Sequence, residues 1–104
     1  MNGNELISFQ IISAVGTARS MYVEAIQEAK KGNIQAAKQL IEDGVKVFVD
    51  GHHAHASLIQ KEAAGEKSEF SLLLMHAEDQ LMTTETLKIV AEEFIELYSD
   101  KYYQ

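Results

Sequence analysis

This 104-residue sequence contains no cysteine and no proline, and its basic residues are outnumbered, 9 to 16, by acidic ones. The first absence removes a disulfide framework, a thiolate zinc site and any thiol nucleophile, and nothing in the chain asks for an oxidising compartment. The second leaves no imposed break in a helix. The formal charge of -7 disfavours a nucleic-acid partner, because binding a phosphate backbone relies on clustered Lys and Arg, and only Lys30 and Lys31 adjoin one another here. No apolar run approaches the roughly 20 residues of a membrane span, and Met1-Asn2-Gly3-Asn4-Glu5 lacks the basic and apolar regions of a signal peptide. A soluble, cytoplasmic protein without membrane insertion is expected.

What is present is apolar and helical. At 46% apolar residues the chain can bury a core as a single domain, 1–104. The glycines fall where helices should start, stop or pack closely. Three long helices are predicted, about 5–31, 34–64 and 69–99, with Asn4, Asn33 and Ser68 as N-caps. In the first, Leu6, Phe9, Ile12, Ala14, Val15, Ala18, Tyr22, Ala25, Ile26 and Ala29 recur at three- and four-residue steps. In the second, Ile34, Ala37, Leu40, Ile41, Val45, Phe48, Ala56, Ile59 and Ala63 mark the inner face. Lys30-Lys31-Gly32 and Gly65 are stop signals, and the chain should fray from Ser99 onward.

Helices of roughly 40 to 46 Å joined by such short connections favour an antiparallel up-down-up three-helix bundle. The third is apolar on more than one face, with Phe70, Leu74 and Leu81 on one and Leu72, Met75, Met82 and Ile89 on others. A surplus stripe of this kind suggests self-association.

Within that helix His76 and Asp79 interrupt an otherwise apolar segment, and Gln80 and Thr83 fall on the same face. Polar groups in such a setting must be satisfied or functional. An imidazole there can be a nucleophile, a base or a metal ligand. Alternatively, His76 and Asp79 only specify the register of a non-catalytic oligomeric adaptor, as buried polar groups sometimes do. A second cluster, Gly51-His52-His53-Ala54-His55, places His52 and His55 one turn apart. With His76 they would make a metal-binding bundle if the second and third helices pack side by side, although the HExxH arrangement is missing. No GxSxG elbow, phosphate-cradling glycine loop or glycosidase dyad is present.

The third helix, Leu72-Leu73-Leu74-Met75-His76-Ala77-Glu78-Asp79-Gln80-Leu81-Met82-Thr83, closely resembles the lactose/cellobiose-type IIA component of the phosphoenolpyruvate-dependent sugar phosphotransferase system. Val15-Gly16-Thr17-Ala18-Arg19-Ser20 with Glu24-Ala25 is similar to the family's first helix, and Glu62-Ala63-Ala64-Gly65-Glu66 to its second turn. The resemblance implies a phosphotransferase in which His76 is the phosphorylated residue. It would accept a phosphoryl group from the carrier protein HPr and pass it to a cysteine of the IIB component, during uptake of a β-linked disaccharide such as lactose or cellobiose. It also implies a homotrimer in which three Asp79 carboxylates share one magnesium ion, since such groups repel unless a hard cation or protons intervene. Two departures stand out. Gln80 replaces a second histidine that commonly follows the aspartate, and His55-Ala56 replaces a common Gln-Thr pair after His52.

Overall fold

The computed structural model describes residues 3–67 and 69–103. Ser68, the expected cap of the third helix, lies outside them. The described residues form three helices and no strand: α1 (Gly3–Lys30), α2 (Ile34–Ala63) and α3 (Leu72–Tyr103). They contain 28, 30 and 32 residues.

The two interhelical turns are built alike. Gly32 and Gly65 take φ of +87° and +88°, a left-handed conformation that a side chain would strain. At the first, the amide of Gly32 donates to Ala29 O and that of Asn33 to Glu28 O, both at 3.0 Å. At the second, Gly65 donates to Glu62 O and Glu66 to Lys61 O, again at 3.0 Å. These paired bonds satisfy the last carbonyls of each helix and reverse the chain.

The N-termini differ from expectation. Asn4 lies inside α1, where its carbonyl accepts a 2.7 Å bond from Ser8 Oγ, so it is not the cap. Asn33 holds the cap position of α2, but its side-chain amide turns back to donate to Glu28 Oε2 at 2.8 Å. That bond, with help from Lys31, holds the Glu28 carboxyl below its ordinary range. The third helix starts at Leu72 rather than 69, because Ser71 supplies the cap: its Oγ accepts from the Leu74 amide at 3.1 Å. At the other end α3 does not fray at Ser99 but runs to Tyr103, with Phe94 stacked on Tyr98 and Lys101 over the Tyr98 ring.

The core consists of two clusters that fix the helix directions. Ala18, Tyr22, Ala25 and Ala29 from the second half of α1 meet Ile34, Ala37 and Ile41 from the start of α2 and Ala91 and Ile95 from the end of α3. Ile11 and Val15 from the first half of α1 meet Leu58 near the end of α2 and Ala77 and Leu81 near the start of α3. Thus α2 runs opposite to both neighbours, giving an up-down-up arrangement 54 Å long. The α1–α2 seam is close because both crossing points are glycines: a Cβ on Gly44 would stand 2.6 Å from the Tyr22 ring, and one on Gly51 2.9 Å from Val15. By contrast, α2 and α3 touch far less than either touches α1.

The predicted inner faces are right in the middle of the bundle and at the α1–α2 turn, with Ala29 and Ile34 buried, and out of phase at the opposite end. Leu6 and Phe9 are half exposed while Ser8 and Ile11 are buried, and Ile59 is exposed while Leu58 is buried. Phe70 precedes α3 and is 83% exposed.

Candidate functional site

His76 sits in the second turn of α3, and Asp79 follows one turn later. Both side chains are exposed in the single chain, outside its own apolar core. The physical reason is the phase of the helix. Ala77, Leu81, Thr84, Ala91 and Ile95 take the buried side, and His76, Asp79 and Thr83 fall on the outward one. Gln80 is half buried between the two. Thr83 Oγ1 donates to Asp79 O at 2.8 Å, so its exposed hydroxyl offers the patch acceptor lone pairs only. His76 has no hydrogen bond or ion pair among the described residues, and its ring nitrogens are open to an incoming reactant.

The outward side of α3 is itself apolar. Leu72, Met75, Met82, Ile89 and Leu97 are all exposed. With Asp79, Thr86 and Glu93 they follow three- and four-residue steps that alternate from Leu72 to Glu93, the spacing of a helix seam that expects a partner helix. Asp79 stands in that seam and His76 beside it.

The histidine cluster on α2 is not a chelate. His55 Nε2 lies 2.7 and 2.8 Å from the two carboxylate oxygens of Glu78 on α3. An ionised carboxylate only accepts, so the imidazole N–H donates. His52 and His53 are exposed, their ring centroids 6.4 Å apart. No group of three or more His, Cys, Asp or Glu side chains among the described residues could hold a metal ion. The metal-binding bundle of His52, His55 and His76 is therefore overturned. Glu78 was not singled out from the sequence. The available signal was its spacing from Leu74 and Leu81, which puts a carboxylate near the inner side of α3.

Two grooves among the described residues lie away from His76. A groove of about 760 Å³ between α1 and α2 is lined by Gln10, Ser13, Asp50 and His53, and one of about 500 Å³ between α2 and α3 by Lys38, Glu42, Glu92 and Glu96. Under the latter seam the Tyr22 hydroxyl has its pKa raised above the ordinary 10.0 by burial and by the nearby Glu92 carboxylate.

An exposed histidine thus lies on an outward helix face beside a seam aspartate. Residues 6–99 match the family described as the lactose/cellobiose-specific IIA subunit of the PTS system. The chain belongs to that family.

Among curated IIA relatives, the lichenan-specific phosphotransferase enzyme IIA component of Bacillus subtilis is 46% identical over 94 residues, covering 90% of this chain and 86% of that one. The oligo-beta-mannoside-specific EIIA component of the same organism is 41% identical over 98 residues, covering 94% and 89%. In three dimensions the chain is similar to the crystal structure of the cellobiose-specific enzyme IIA from Bacillus anthracis, with a TM-score of 0.96 and 42% identity, covering 100% of this chain and 95% of that one. The three-helix fold is thus that of IIA components. No helix among the described residues is long and apolar enough to cross a membrane.

Proposed function

We propose that this IIA component is a phosphocarrier in which His76 receives a phosphoryl group from phospho-HPr and delivers it to a cysteine of a IIB component. The transport served would be of a β-linked disaccharide or related β-glucoside, the class named for the lichenan and cellobiose relatives. One observation carries the reading: the histidine of the family-like His-x-x-Asp-x-Leu-Met-Thr segment is exposed and makes no side-chain bond.

The chemistry follows from that exposure. The lone pair of a neutral His76 ring nitrogen attacks the phosphorus of the donor's phosphohistidine, a new P–N bond forms, and the donor's P–N bond breaks as its imidazole leaves. In the second step a thiolate attacks the same phosphorus and His76 leaves in turn. The transition state is loose, so the demand on the protein is in-line positioning rather than covalent assistance. A convex, open histidine suits this exchange, because each partner must bring its own reacting atom to it.

The outward seam of α3 supports assembly as a homotrimer through parallel α3 helices. Asp79 then meets its copies at the axis. One chain offers a lone carboxylate, and the donor set for a cation is complete only when three copies meet. Oxygen donors of that kind suit a hard divalent ion such as magnesium, which would neutralise the charge there. The reading is tested in a reconstituted relay from phosphoenolpyruvate to IIB. His76→Gln should stop labelled phosphoryl reaching IIB while leaving the helical circular dichroism intact; continued delivery by that variant would refute the assignment. For the seam, native mass spectrometry should show a trimer that Asp79→Leu or a chelator alters. An assembly indifferent to both would remove the metal role of Asp79.

A further inference from the structure

The observation that the proposed chemistry leaves unused is the contact between His55 and Glu78. It bridges α2 and α3, the pair of helices that otherwise touch least, and both side chains are mostly shielded, at 18% and 35% exposure. Glu78 lies two residues beyond His76, about 200° around the helix, so it grips the side of α3 opposite the nucleophile.

Apolar packing at the start of α3 is one-sided: Leu74, Ala77 and Leu81 join the cluster of Ile11, Val15 and Leu58. Leu72 is 83% exposed, Met75 and His76 are exposed, Leu73 and Leu74 are only half buried, and the first fully buried side chain is the methyl group of Ala77. A methyl offers a neighbouring helix no shape to key against. The segment ahead, through Phe70, is also exposed where described. The direction in which His76 points is therefore set by that apolar contact together with the polar one from Glu78 to α2.

We infer that His55 and Glu78 are a positioning pair, fixing the rotational setting of the first turns of α3 and hence the line along which His76 meets a phosphoryl group. This rests on the phosphocarrier reading. Turning the helix by about 20° would carry a side-chain tip about 6 Å from its axis through about 2 Å. Displacement by even about 1 Å can slow a step governed by alignment roughly a hundredfold.

The test uses the full chain and three variants, His55→Leu, Glu78→Leu and His55→Gln. Three quantities are read: single-turnover phosphoryl transfer from phospho-HPr, the proton–nitrogen NMR correlation of the His76 imidazole, and the thermal midpoint. Both leucine variants should transfer about 10- to 100-fold more slowly and shift the His76 resonance. In His55→Gln an amide N–H replaces the imidazole donor, and transfer should return to within about threefold of the parent. Since Glu78 is partly exposed, Glu78→Leu remains readable if His55→Leu fails to fold. Parent-like transfer in a folded leucine variant, or His55→Gln as slow as His55→Leu, would overturn the pairing role. A parent that takes no phosphoryl group would refute the phosphocarrier reading instead. The resonance would then judge the positioning alone, an unmoved His76 signal in Glu78→Leu overturning it.

Discussion

Gly44→Ala should destabilise the protein although alanine is the better helix former. Gly44 is buried in the middle of α2, and an added Cβ would stand 2.6 Å from Tyr22 Cε1, 3.1 Å from Cδ1 and 3.3 Å from Cζ. Ordinary contact needs about 3.4 to 4 Å, so either the ring or the helix must move by about 1 Å. The ring is packed in place: Tyr22 is 1% exposed within the cluster of Ala18, Ala25 and Ile41. Overpacking of this kind costs about 1 to 3 kcal/mol, against about 1 kcal/mol gained from helix propensity. The net is a loss of about 1 kcal/mol, lowering the thermal midpoint by about 4 to 8 °C for a chain of this size. Gly16→Ala is the control, since a Cβ there meets nothing within 4 Å in the single chain and should stabilise it. Both variants are melted at one protein concentration, because assembly would couple to unfolding. In a cycle with Tyr22→Leu, the Gly44→Ala penalty should shrink by more than about 0.5 kcal/mol. Equal gains from Gly44→Ala and Gly16→Ala, or an additive cycle, would refute the close-approach argument.

Three further outcomes follow from particular groups. Ser71→Ala removes the side-chain acceptor for the Leu74 amide and should cost about 0.5 to 2 kcal/mol in urea unfolding, with faster amide exchange in the first turn of α3. Thr84→Val should raise stability by about 1 kcal/mol, because Thr84 Oγ1 is buried without a partner among the described residues and a methyl of the same shape needs none; a loss in chemical denaturation would reveal a bond to that hydroxyl. Tyr22 has a folded pKa raised above 10.0, so the stability it contributes is fully present below that value and is lost as pH rises through the folded pKa. Tyr22→Phe should therefore flatten the alkaline limb of the stability profile, and unchanged alkaline unfolding would contradict the burial argument.

The number of helices, their lengths and both glycine stops were legible because they are written in local chemistry: glycine where a left-handed residue is needed and apolar residues at helical steps. Phase was less so. At the start of α1 either Leu6 and Phe9 or Ser8 and Ile11 could face inward, and the smaller pair won where the bundle is tight. Ser8 is tolerated there because its hydroxyl bonds to Asn4 O. Ser68 and Ser71 are equally good caps by residue type, and only the geometry of the third helix selects Ser71. The motif at His76 was legible from sequence, but its exposure was not. An apolar helix reads as buried, whereas here part of its apolar surface faces away from the chain's own core. The His55–Glu78 contact depends on how α2 and α3 align across 23 residues of sequence, which no local pattern encodes.

The central claim, that His76 is the phosphoryl acceptor, is tested most directly by intact-mass analysis. The parent and His76→Gln would each be incubated with phosphoenolpyruvate, enzyme I and HPr. The account predicts one acid-labile phosphoryl group on the parent and none on the variant. An unmodified, folded parent, or a phosphorylated His76→Gln protein, would contradict it.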